Sequence, residues 1–286
     1  MKAIIVGAHG QLGRELARQV PADVLGIGLG RAELDITDPV AVRAMLDRYQ
    51  PDLVINAAAY TAVDRAESEE AHAFAINAAG VRNLAEAAEE RAAHLLHVST
   101  DFVFDGSSNR AYRPGDSRNP LSVYGRSKAA GEDAISPSGT VVRTSWVYGA
   151  GSANFVTTML RLMAERGEVR VVADQIGAPS RVTGLAEVIW RLAQARQTGV
   201  WHHSDAGVAS WYDFAVAIAE EGVAAGVLAT MPSVVPVTSA EFPTAAQRPG
   251  FSLLDSALTR EALGLSALHW RTNLRHMLQM DLSRFK

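Results

Sequence analysis

The sequence predicts an α/β fold, a doubly wound parallel sheet followed by a smaller C-terminal α/β lobe. Three observations predict it. Short β-rich runs alternate with longer helix-like segments from residue 2 to about residue 145, which is the rhythm of βαβ units. The runs are apolar throughout instead of alternating, as suits parallel strands covered by helices on both faces. After Gly149-Ala150-Gly151 the pattern loosens, and a second lobe is expected to begin.

In order, strands are predicted at residues 3–6, 24–27, 53–56, 95–99 and 140–144. Leu12, Leu16 and Val20 share one face of a first helix, and Asp38-Pro39 reads as the N-cap and first turn of a second. Phe74, Ala78, Val81, Leu84 and Ala88 recur at helical spacing and predict a long helix over 71–91. In the second half, helices are expected over 154–165, 185–195 and 211–221, strands over 169–172, 200–203 and 234–237, and a loop over 174–180. Two helical stretches close the chain. Trp211, Phe214, Ala215 and Ile218 read as core, and Leu274, Met277, Leu278 and Leu282 form a stripe that packs on its own lobe or contacts a second copy in a homodimer.

Composition narrows the function classes. Hydrophobic residues make up 48% and charged residues 20% of the 286, the balance of a globular chain that folds. A net charge of -4 lacks the basic excess of a nucleic-acid binder. No cysteine is present, so disulfides, thiolate metal sites and a cysteine nucleophile are excluded. The first residues enter a strand at once, leaving no room for a signal peptide, and no apolar run reaches membrane-spanning length. A cytoplasmic enzyme with no membrane partner is the expectation.

Gly7-Ala8-His9-Gly10-Gln11-Leu12-Gly13 follows the first predicted strand and opens a helix. Glycines in this place permit a tight turn and close backbone approach, so a pyrophosphate can rest on the helix amides. A Rossmann-type dinucleotide site is therefore expected, with Gly7, Gly10, Gln11, Leu12 and Gly13 against the cofactor. The second strand runs out as Gly28-Leu29-Gly30-Arg31, with no carboxylate to bind ribose hydroxyls. Arg31 would tolerate a 2′-phosphate, or is a plain surface arginine, and Asp35-Ile36 could flank the adenine. NADPH and NADH both remain open. Residues 1–147 are expected to form the NAD(P)-binding unit, with segments near 169–198 and 232–256 returning to it, and 148–286 to form mainly a substrate lobe.

Tyr124 and Lys128 lie four residues apart, on one face of a helix if the segment is helical. A lysine beside a phenol helps it give a proton to a carbonyl oxygen as hydride arrives. Ser99-Thr100-Asp101 sits at the carboxyl end of a predicted strand, where open α/β sheets bind ligands, and Thr100 can hydrogen-bond the reacting oxygen.

These motifs resemble the extended short-chain dehydrogenases. Asp35-Ile36-Thr37-Asp38, the run from Asn56-Ala57-Ala58-Ala59-Tyr60 through Thr61 and Val63 to Asp64, Val103-Phe104-Asp105-Gly106, Arg143-Thr144-Ser145-Trp146-Val147-Tyr148-Gly149, Asp174-Gln175-Ile176-Gly177-Ala178-Pro179-Ser180 and Arg248-Pro249 resemble, more narrowly, the dTDP-4-dehydrorhamnose reductases. The resemblance covers nearly the whole chain. It implies hydride transfer from NADPH or NADH to C4 of dTDP-4-dehydro-L-rhamnose, with Thr100, Tyr124 and Lys128 as the catalytic group and Tyr124 as proton donor. It also implies that Ala57, Ala58 and Ala59 line the cofactor, that Thr61, Val63, Thr100 and Asp101 lie near the sugar, and that Trp146 covers the substrate. Phe102 stands where relatives often have tyrosine, and where the related dehydratases carry glutamate, which favours simple reduction.

Arg181 and Arg248 could hold a diphosphate or form ordinary ion pairs. His202 and His203, adjacent on a strand, point to opposite faces and share no metal. Some relatives carry magnesium at a dimer contact, but no carboxylate motif can be assigned to it and no catalytic metal is expected. Two other functions fit the same residue types: a regulatory subunit that keeps the nucleotide pocket, and another sugar-nucleotide reductase or epimerase. An intact Thr100, Tyr124 and Lys128 argues against the first.

Overall fold

The computed structural model describes residues 1–280. The first half of the chain alternates as expected: β1 (Lys2–Val6), α1 (Gln11–Arg18), β2 (Leu25–Leu29), α2 (Pro39–Tyr49) and β3 (Leu53–Asn56). Asp38 caps α2, its carboxylate accepting from the Val40 and Ala41 amides at 2.9 and 3.1 Å, and Pro39 fills the first helical position, where no N–H is needed. Two short helices, α3 (Val63–Ala66) and α4 (Glu70–Phe74), precede a π turn over Ala75–Ala79 that runs into α5 (Gly80–Glu89). The helix expected over 71–91 is thus present, with one wide turn inside it. β4 (His94–Thr100), α6 (Val123–Glu132) and β5 (Thr140–Thr144) complete this half.

The remaining elements are β6 (Val147–Tyr148), α7 (Phe155–Arg166), β7 (Glu168–Val172), β8 (Ile176–Gly177), β9 (Ser180–Arg181), α8 (Val182–Gln194), β10 (Gly199–His203), β11 (Ala209–Ser210), α9 (Trp211–Ala224), β12 (Ser233–Val237), α10 (Ala257–Leu263) and α11 (Trp270–Met280). The segment expected to be a loop over 174–180 holds two short strands, β8 and the start of β9. The stripe on the last helix buries Leu274, Met277 and Leu278; Leu282 lies outside the described residues.

Six strands form one parallel sheet in the order β10-β5-β4-β3-β1-β2. Successive side chains of β1 go to opposite faces. Ala3 and Ile5 pack with Leu16, Leu185 and Ile189 from α1 and α8, while Ile4 and Val6 pack with Val42, Leu46 and Leu84 from α2 and α5. Each fully buried isoleucine contributes roughly 1.5–3 kcal/mol by leaving water. The sheet is doubly wound because both of its faces are apolar.

The strands of the segments near 169–198 and 232–256 stay out of the large sheet. β7 and β12 pair in parallel with each other, outside the large sheet, over a second core that includes Val169, Val171, Phe214, Ile218 and Leu274. Only α8 lies on the large sheet, and β10 supplies its sixth strand. The two strands expected in these segments therefore do not join the large sheet, while α8 packs on it and Leu254 packs with Val103 and Phe104: a short apolar strand is equally at home in either sheet, and its partner is a tertiary property.

Candidate active site

From β1 the chain winds to β2 on one side and then crosses to β3 on the other. That reversal opens a crevice at the carboxyl ends of β1 and β3, where open α/β sheets bind their ligands. Gly7 turns there with φ at 79°, and a Cβ on it would lie 2.7 Å from the Ala58 nitrogen. Gly13 packs so closely on the turn that a Cβ would sit 2.1 Å from the Gly7 carbonyl oxygen. Gly10 caps α1 with no side-chain bond, which leaves the amides at the positive end of the helix available to an anion. The turn fits a dinucleotide's pyrophosphate.

A cavity of about 690 Å3 extends from the turn along the sheet edge, lined by Gly7, Gly10, Arg31, Asp35, Ile36 and the strand-end residues Ala57, Ala58 and Ala59. Arg31 is exposed. The Asp35 carboxylate accepts from the Thr37 amide at 3.0 Å and the Thr37 hydroxyl at 2.7 Å, and these bonds hold its carboxyl below the ordinary range. His9, Arg65, Glu69 and His72 line the same cavity as Arg31. Sequence reasoning passed them over, although His9 lies inside the glycine motif.

A second cavity, of about 480 Å3, meets the first at Gly10, Ala57, Ala59 and Thr61. Gln11, Leu12, Thr100, Asp101, Tyr124, Lys128 and Trp146 line it. β4 delivers Thr100 at its carboxyl end, where the hydroxyl donates to Asp101 Oδ1 at 3.0 Å and accepts from the Phe102 amide at 3.2 Å. α6 starts at the Ser122 cap, whose hydroxyl accepts from the Gly125 amide at 3.1 Å, and carries Tyr124 and Lys128 one turn apart. The Phe102 ring meets Tyr124 edge-on, with centroids 5.7 Å apart.

Burial sets the charges here. It pushes the Tyr124 phenol up to about 12, with the Thr100 hydroxyl pulling the other way and the Asp101 charge adding to the rise. It draws the Lys128 ammonium down to about 8 against the pull of Glu132. It raises the Asp101 carboxyl to about 6, although Ser252 and Thr100 oppose the shift. At neutral pH the phenol therefore keeps its proton.

α6 is held by a buried clamp. Asn77, inside the π turn, accepts from the Tyr60 amide at 2.8 Å and donates to the Tyr60 carbonyl at 3.0 Å and the Ser127 hydroxyl at 3.0 Å. Behind the helix, Arg143 and Glu132 form a buried pair at 2.7 Å, and Glu132 also accepts from the Ser99 hydroxyl at 2.5 Å. Ser252, from the loop between β12 and α10, donates to Asp101 Oδ2 at 2.5 Å. None of these partners announces itself by spacing.

Val63 lines neither cavity and instead opens α3. Arg248 is engaged by Asp64 at 2.7 Å in an ion pair, and Arg181 lines a different cavity with Asp205 and Arg260. Trp146 lies on the second cavity with a left-handed backbone, φ 49°. Its ring stacks on Trp211 with centroids 3.7 Å apart. Trp211, expected to be core, therefore shares in the cavity wall together with Phe155. Among the described residues no group of three or more His, Asp or Glu side chains is placed to hold a metal ion, and no helix is long and apolar enough to cross a membrane.

Comparison with known proteins places this architecture. The family model described as the RmlD substrate binding domain matches residues 1–282. A dTDP-4-dehydrorhamnose reductase of Aggregatibacter actinomycetemcomitans is 42% identical, covering 96% of this chain and 98% of its own length. A dTDP-4-keto-6-deoxy-D-glucose reductase of Streptomyces niveus is 39% identical, covering 95% and 94%. Among solved structures, a dTDP-4-dehydrorhamnose reductase of Clostridium acetobutylicum superposes with a TM-score of 0.92 at 38% identity over 99% of both chains. That of Bacillus anthracis, in complex with NADP, gives 0.91 at 37% identity over 96% of this chain and 98% of its own. With the glycine turn, the paired cavities and a match along its whole length, the chain belongs to the dTDP-4-dehydrorhamnose reductase family of NAD(P)-binding oxidoreductases.

Proposed function

We propose that the protein reduces the C4 ketone of dTDP-4-dehydro-L-rhamnose to give dTDP-L-rhamnose, using NADPH or NADH, with Tyr124 as proton donor. The observation that carries this reading is that Thr100, Tyr124 and Lys128 line one cavity which opens into the glycine-turn cavity. The glycine turn and the strand-end residues Ala57, Ala58 and Ala59 would hold the dinucleotide, with Gln11 and Leu12 at the junction. The reduced nicotinamide supplies the hydride when bound.

The residues of the chain do the rest. Tyr124 stays protonated at neutral pH because burial raises its phenol, so it can hydrogen-bond the ketone oxygen and give up its proton as that oxygen gains charge. Thr100 orients the same oxygen through its hydroxyl. Phe102, packed on the Tyr124 ring, offers no acid for water elimination. The basic side chains around the first cavity, Arg31, His9, Arg65 and His72, suit a 2′-phosphate and favour NADPH. Trp146 and Trp211 form an apolar wall against which a sugar or base could lie.

Oxidation of NADPH and of NADH, followed at the nicotinamide absorbance with each of two keto-sugars, tests the reading. Rapid oxidation with dTDP-4-dehydro-L-rhamnose and recovery of dTDP-L-rhamnose supports it. Turnover confined to dTDP-4-keto-6-deoxy-D-glucose, the substrate in the name of the Streptomyces niveus relative, would move the assignment to that sugar. Tight NADPH binding with no turnover of either would favour a regulatory role.

A further inference from the structure

The two adjacent histidines that end β10 face different surroundings. His202 has partners: its Nδ1 lies 3.0 Å from the Tyr112 carbonyl oxygen and its Nε2 lies 3.4 Å from Arg143 Nη1. His203 is only 9% exposed, and both of its ring nitrogens are buried with no hydrogen-bond partner among the described residues. Buried polar side chains are nearly always satisfied, so this ring calls for a partner from outside the chain. It lines a third cavity, of about 430 Å3, which shares no residue with the two already described.

The other groups around that cavity agree in sign. α8 starts on it, and its N-cap residue, Arg181, makes no side-chain bond to the first turn, which leaves the amides of that turn to a ligand. Arg181 and Arg260 line the cavity, and neither guanidinium makes a hydrogen bond or close ion pair among the described residues. Two carboxyl groups face them. Glu187 is engaged by Arg191 at 2.6 Å. Asp205 accepts from the Arg181 amide at 3.1 Å, and burial pushes its carboxyl up to about 7, although Asn273 and Arg181 oppose the rise. Much of its charge is therefore lost at neutral pH, and the balance left in the cavity is positive. Gly184, in the first turn of α8, leaves room beside the histidine: a Cβ built there would meet nothing in the rest of the chain closer than His203 Nε2, at 3.8 Å.

We propose that this cavity is a second anion site, in which a phosphate group beside Gly184 accepts hydrogen bonds from His203 Nε2–H, the first-turn amides of α8 and the guanidiniums of Arg181 and Arg260. Phosphate matches the donors in number and direction, since its oxygens point to the corners of a tetrahedron and arginine binds them bidentately. A carboxylate, with two oxygens in one plane, would leave donors unused. Burial, and then Arg260, hold the His203 imidazole neutral with a midpoint down at about 4, so one ring nitrogen keeps a proton to give. The site is independent of the reductase reading, because it lies apart from both the glycine turn and the cavity of Tyr124.

The test is a titration of inorganic phosphate into the intact protein, with NADP present to occupy the glycine turn. Nitrogen-15 shifts of the His203 ring, assigned against His203→Gln, are the local readout, and no turnover is needed. A saturable shift with a Kd of about 1 mM or tighter is expected. Glycerol 3-phosphate distinguishes the sources of the group: equal or tighter binding admits a phosphate ester, and its exclusion confines the site to free phosphate. Gly184→Ala puts a methyl group into the proposed place and suits a helix, so this variant should fold and lose the shift. Arg260→Gln should weaken binding about tenfold or more. A ring that responds to neither phosphate, or responds equally in wild type, Gly184→Ala and Arg260→Gln, overturns the site and leaves His203 a buried histidine satisfied by water.

Discussion

Tyr124 is the proton donor of the proposed reaction. Tyr124→Phe is expected to keep dinucleotide affinity, measured by fluorescence titration, while kcat falls on the order of 100 to 10,000-fold, the usual contribution of a positioned acid. Asp101 gives a pH-dependent prediction. Its carboxyl is raised from 3.8 to about 6 in the folded protein, so the folded state binds the extra proton between those values. The stability it contributes is fully present below about pH 4 and is lost as pH rises through about 6, amounting to about 3 kcal/mol. Asp101→Asn removes that slope, and denaturant melts of the two proteins at pH 4 and pH 7 measure the difference. At this scale the motifs were readable because Thr100, Tyr124 and Lys128 each sit on a strand end or helix whose pattern is local. Ser252 with Asp101 was not, because contact between distant parts of the chain puts them together.

The element that positions the site is α6, and it lies unusually close to the π turn. A Cβ on Gly131 would stand 2.1 Å from the Asn77 carbonyl oxygen, a distance no neighbour can absorb by rotating. Gly131→Ala is therefore expected to shift α6, costing about 1–3 kcal/mol of stability and more in kcat than in dinucleotide affinity, since the glycine turn lies elsewhere. Thermal melts and initial rates on the same preparation separate the two effects. The helix over 71–91 was readable from its 3.6-residue period, but the wide turn within it was not. A π turn shifts the register by one residue without altering composition, and its reason here is Asn77, which needs to face both the Tyr60 backbone and Ser127. The β7 and β12 pair was misplaced on similar grounds: apolar period reveals a strand, and only packing reveals its neighbour.

At the scale of the whole molecule, Arg248, in the loop after β12, ties that part of the chain to Asp64 in α3. The pair is partly exposed, so Arg248→Ala is expected to change stability by no more than about 1 kcal/mol. The Michaelis constant for the sugar nucleotide is expected to rise several-fold with kcat less affected, because the second cavity takes walls from both sides. Steady-state kinetics against a thermal melt checks this. The helices and strands after residue 151 were readable from local pattern, whereas the pairing of β7 with β12 rests on contacts between distant residues. The stacked indoles of Trp146 and Trp211, 3.7 Å apart, give the protein an optical signature. Transition dipoles this close couple and split the near-ultraviolet circular dichroism of the pair. Anything that slides between the rings or parts them is thus visible in the protein's own spectrum, with no label and no reaction.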